Sequence, residues 1–165
     1  MSRAALYKKS EELKQRYSLY GLFATVFYLV AVLVGGAAYA SSNLPVYLSL
    51  NAAYASGYGT SVFVQSLLVL LSFILLAAGA ILMFLSRATT ARGEFTSSKR
   101  LVYSSIGVTA LAIVFSASAI FPPASRVINE FFSLYLVLIT AALGLAAYST
   151  LLLKTVVQYY TPRRK

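Results

Sequence analysis

The stretch "SVFVQSLLVLLSFILLAAGAILMFLS", residues 61–86, runs for 26 residues without a charge. At about 1.5 Å per helical residue it would reach roughly 39 Å, more than the ~30 Å hydrocarbon core of a bilayer. Barrel strands would alternate apolar and polar residues over about ten positions, and this run does not. A helix, which satisfies its own backbone, is the spanning form left to it. Three further uncharged apolar runs flank it: 19–40, 101–121 and 131–153. Each is close to the ~20 residues a spanning helix needs. The pattern predicts an all-α integral membrane protein, a four-helix transmembrane bundle spanning residues 19–160.

Composition agrees. The 165-residue chain is 59% hydrophobic and 11% charged, against about 45–50% and about 25% for soluble domains. A soluble fold of this size could not bury so much apolar surface. Residues 38–41, "AYAS", imitate the end of a secretory signal, but the leader would then be 40 residues long, beyond the usual ~15–30. The first run is therefore read as a span. With few Asn, Gln and Met, no Cys and 13 Tyr, the composition fits a thermophile, possibly archaeal in origin.

The charges are sorted along the chain. Arg3, Lys8, Lys9, Lys14 and Arg16 precede the first run; Arg87, Arg92, Lys99 and Arg100 lie between the second and third. Lys154, Arg163, Arg164 and Lys165 close the chain, and Arg126 alone falls in the other connections. A Lys/Arg bias of this kind sets orientation, so both termini and the 87–100 loop are expected in the cytoplasm of a cell-membrane protein. Lys8, Lys9, Lys14, Arg16, Arg87, Arg92, Lys99, Arg100, Lys154, Arg163 and Arg164 are expected to touch anionic lipid headgroups. The net charge of +10 then needs no nucleic acid to explain it.

Residues 1–18 read as a basic amphipathic helix that either continues into the first span or lies on the inner surface. Glu12 can pair with Lys8 and Arg16 at i,i+4 spacing. The connection 41–60 is uncharged and apolar; its periodicity fits a strand over Leu44–Leu50 and a helix over Leu50–Tyr58, and does not choose between them. Pro122 and Pro123 stop the third run. Glu130 is placed to pair with Arg126. Residues 161–165 form a basic tail.

The chain has no His, Cys or Asp, which removes zinc sites, ordinary haem ligation and a Ser–His nucleophile. No Asp, Glu, Lys or Arg sits inside the runs, and but for the tyrosines' phenols nothing there can ionise, whereas a charged group at depth would mark an ion or proton path. No catalytic residue, metal or cofactor is therefore expected. What remains is packing chemistry. Ser105, Thr109, Ala112, Ser116 and Ala119 share one helical face in the third run. Gly35, Gly79 and Gly144 are expected to allow close helix approach in the others. Gln65, Ser72 and Thr140 are candidates for a polar track.

The reading favoured by these features is a non-enzymatic accessory or structural subunit, partnered by other membrane chains or by copies of itself. One alternative is a small channel or carrier that uses the polar track. A quinone- or lipid-binding subunit of a membrane oxidoreductase is another.

Overall fold

A computed structural model describes residues 3–160, with side chains from residue 8 to residue 158; the expected basic tail 161–165, with Arg163 and Arg164, lies outside them. The fold is an all-α four-helix bundle. The long helices are α1 (Arg3–Ser41), α3 (Gly59–Ala91), α4 (Phe95–Ala117) and α5 (Phe131–Tyr160), with a short α2 (Leu50–Ala55) between the first two. Each of the four long ones is apolar enough over at least 18 residues to cross a membrane.

The chain runs up, down, up, down. Helix α1 packs beside α3 and α5, and α4 packs beside the same two. Every neighbouring pair is thus antiparallel, while α1 faces α4, and α3 faces α5, across the diagonals. The start of α1, the end of α5 and the α3–α4 turn lie at one end; α2 and the α4–α5 connection lie at the other.

Local sequence explains the boundaries. Nothing breaks α1 between its basic start and its apolar run, so the two form one continuous helix. Gly93 ends α3: with φ of 82° it takes a left-handed position that other residues adopt at a cost. Its amide donates to Thr90 O (3.0 Å), and the Glu94 amide to Thr89 O (3.0 Å). This pair of bonds satisfies carbonyls the helix leaves open. The 41–60 connection resolves as a 3-10 turn, Leu44–Leu48, followed by α2, so the helical reading holds there. Leu44 and Ala53 plug the bundle end while Val46 and Tyr54 stay exposed.

Of the expected ion pairs, Glu12 takes Arg16 at 2.8 Å and not Lys8, and Lys14 approaches Glu11 at 4.0 Å. Arg126 and Glu130 are exposed and make no ion pair among the described residues. Water competes effectively for such a pair, which is worth little at a surface.

Candidate functional site

The interior is organised by four tyrosines. Tyr17, Tyr28 and Tyr39 on α1 are eleven residues apart, about three helical turns, so they share one face and all are buried. Tyr135 joins them from α5. Each ring reaches hydroxyls on α3 or α4, giving four polar layers stacked along the bundle.

At the end carrying the α3–α4 turn, the Tyr17 hydroxyl meets Ser86 Oγ, which also lies 2.8 Å from Ser98 Oγ. One level on, Tyr28 is hydrogen-bonded to Thr109 at 2.9 Å, while Ser105 Oγ donates to Gly79 O at 2.9 Å. In the third layer Tyr135 stands 2.8 Å from both Ser72 Oγ and Ser116 Oγ. In the fourth, Ser66 Oγ donates to Leu44 O (2.6 Å), leaving the Tyr39 hydroxyl to donate to Ser66 (2.8 Å). Every hydroxyl in these layers has a partner, as burial away from water requires.

Shape matches polarity. A Cβ on Gly35 would lie 2.5 Å from Tyr135 Cδ2 and 2.7 Å from Phe73 Cε1, so this glycine makes room for the ring of the third layer. Gly79 serves the second layer, where a Cβ would approach Thr109 Oγ1 to 3.1 Å.

The expected packing residues divide accordingly. Ser105, Thr109, Ala112, Ser116 and Ala119 are all fully buried, and Gly35 and Gly79 sit at close contacts. Gly144 does not: it lies on the outer face of α5 with nothing within 4 Å of a Cβ placed there. The polar track is likewise not brought together. Ser72 belongs to the third layer, and Thr140 is exposed, its hydroxyl donating back to Leu136 O at 2.8 Å. Gln65 clamps the α4–α5 connection, giving hydrogen bonds to Ser118 O (3.0 Å) and Phe121 O (3.1 Å) and accepting one from the Ala124 amide (3.1 Å). Asn129 ties the same connection to α1 through Ser41 Oγ at 2.7 Å.

Arg126 apart, the described basic residues lie toward the end of the bundle that carries the α3–α4 turn. Lys8, Lys9, Arg16, Arg92, Lys99, Arg100 and Lys154 are exposed, and Lys14 and Arg87 half-buried. Lys99 also rests its ammonium 5.8 Å from the Tyr103 ring centre.

The buried tyrosines are what sequence reasoning missed. Their eleven-residue spacing was the available signal. Among the described residues, no group of three His, Cys, Asp or Glu is gathered to hold a metal.

The outer faces differ from one another. Those of α1 and α3 are bulky, with Leu29, Leu33, Ile74, Ile81 and Phe84 exposed. Those of α4 and α5 expose large side chains too, Val114, Val137 and Leu151 among them, but set small residues between them: Ser104, Gly107 and Ala110 on one, Thr140, Gly144 and Ala147 on the other. Counting nine residues from the Ser116–Tyr135 hydrogen bond along each antiparallel helix brings Gly107 and Gly144 to one level. Comparison with family models, with curated proteins and with solved structures finds no match for this chain.

Proposed function

We propose that this protein is a non-enzymatic, multi-pass subunit of a larger membrane assembly, packing against helices of other membrane chains or of its own copies. The observation that carries the reading is the pair of exposed glycines, Gly107 and Gly144, at one level on the outer faces of α4 and α5, each with small exposed neighbours on its own helix. Lipid tails fill a surface of any shape and do not call for glycine, whereas close helix approach does. The interior supports the same reading from the other side. Its tyrosines and hydroxyls are spent on one another, which favours a rigid packing unit over a conduit. Both termini face the cytoplasm of the cell membrane in this account, since the basic residues gather at their end of the bundle.

Crosslinking in native membranes, followed by mass analysis of what is joined to the chain, tests the proposal. Crosslinked partners or copies would support it. A monomer that transports a solute when reconstituted alone into liposomes would replace it with the channel reading.

A further inference from the structure

Near the termini, α1 and α3 part around a cavity of about 190 Å³, lined chiefly by Glu11, Lys14, Gln15, Ser18, Arg87 and Thr90. Arg87 is the unusual member. Its stem lies across Gly21, where a Cβ would come within 3.0 Å of both Cγ and Cδ. The glycine is thus a notch that lets the guanidinium cross from α3 to α1.

What the guanidinium finds there is incomplete. It has five N–H donors. One, from Nη2, reaches Ser18 Oγ at a long 3.4 Å. Nε has no hydrogen-bond partner and is buried away from the cavity, so a ligand there would meet the Nη donors. Among the described residues no carboxylate pairs with Arg87; Glu11, on the cavity wall, stands 4.0 Å from Lys14. Thr90 donates to Ser86 O at 2.9 Å and so serves as wall. The cavity therefore offers a guanidinium, an ammonium, the Gln15 amide and the Ser18 hydroxyl, with a net charge of about +1 when Glu11 is counted. An anion with several oxygens and one negative charge complements that set, and a planar guanidinium fork matches phosphate oxygens in particular.

Position narrows the source. Ser18 is the last residue before the first apolar run, and Arg87 the first after the second. A bilayer that covers the two uncharged runs would put both at its edge, the level of the lipid phosphates. We infer that this notch is a phosphate-binding site, filled by the phosphodiester of a membrane lipid lodged between α1 and α3. The site is independent of which assembly the bundle serves.

The test uses the full chain, delipidated in detergent, with three probes: dioleoylphosphatidylglycerol, dioleoylglycerol without phosphate, and sodium phosphate. Binding is read by native mass spectrometry and by titrated thermal shift. The phospholipid binds and dioleoylglycerol does not. Arg87→Gln weakens phospholipid binding by about ten- to a hundredfold, the scale of a lost charge-assisted bond. Arg92→Gln, the same charge change at an exposed position, weakens it by no more than about fivefold, the general attraction of a surface charge to headgroups. Arg87→Lys falls between. Arg87→Met keeps the stem over Gly21 and reads out the same loss should the Gln variant fold poorly. Sodium phosphate binding that depends on Arg87, with no lipid binding, would keep the chemistry and assign it to a soluble phosphate. Equal losses for Arg87→Gln and Arg92→Gln, or no binding of either phosphate probe, overturn the site.

Discussion

Tyr28 of α1 and Thr109 of α4 belong to helices on opposite corners of the bundle, yet their hydroxyls are hydrogen-bonded at 2.9 Å. The bond crosses the diagonal, where backbones are too far apart for small side chains to meet. Tyr135 does the same from α5 to Ser72 of α3 at 2.8 Å. With Tyr17 of α1 also 3.4 Å from Ser98 of α4, long aromatic side chains bridge both diagonals and tie the four helices together.

A double-mutant cycle measures the first diagonal. Tyr28→Phe and Thr109→Val should each destabilise the bundle, with a coupling of about 0.6 kcal/mol and at most about 1.7, the range for hydrogen bonds between membrane helices. Reversible unfolding in mixed detergent micelles supplies the numbers. Zero coupling would show that the hydroxyls are neighbours without a mutual contribution.

Two glycines separate inner from outer packing. Gly35→Ala forces the Tyr135 and Phe73 rings aside and should cost about 1–3 kcal/mol, as overpacking does. Gly144→Ala meets open space and should stabilise the helix slightly, by up to about 1 kcal/mol. The thermal midpoints of the two variants in detergent should therefore move in opposite directions. Equal destabilisation would contradict the assignment of Gly144 to the outer face.

How much of this was legible in the sequence depends on the periodicity available. The four spans follow from length and apolarity alone. The α4 face from Ser105 to Ala119 was readable because small residues recur there at helical spacing among large ones. The α5 stripe Ser133, Thr140, Ala147 and Lys154 has equally regular spacing, yet all four are exposed. A shared face does not say whether it looks inward. In water, polarity would decide; here both sides of a helix meet apolar neighbours, so the usual contrast is missing. The buried tyrosines were hidden for a related reason. The usual place of this residue is the membrane interface, whereas Tyr28 falls in the middle of an apolar run, at helical spacing from Ala24, Ala31 and Gly35. Only the partners on α3 and α4 reveal that it completes a layer.

Gln65 should matter for one connection and little else. Gln65→Ala removes the acceptor of the Ala124 amide and the donor to two carbonyls, so amide exchange over residues 118–124 should accelerate by about tenfold or more, the loss of a net bond or two. Exchange in the centres of α3 and α5 should stay as it is. Hydrogen-exchange mass spectrometry resolves the two regions, and a uniform change would assign Gln65 a global role instead.

Orientation is open to direct labelling, because the chain has no cysteine. Single cysteines at the exposed positions Tyr54 and Arg92 report on opposite ends of the bundle. A membrane-impermeant thiol reagent on intact cells should label position 54 and leave position 92 unmodified. Labelling at 92 alone would invert the proposed topology.

The central claim is that the α4–α5 face meets another membrane chain, and a photo-reactive residue placed at Gly144 tests it most directly. Irradiated in native membranes, it should join the protein to a second polypeptide, identified by mass analysis. The same group at Leu33, on the bulky outer face of α1 and 73% exposed, should yield lipid adducts. Polypeptide adducts at Leu33 with only lipid at Gly144 would contradict the account.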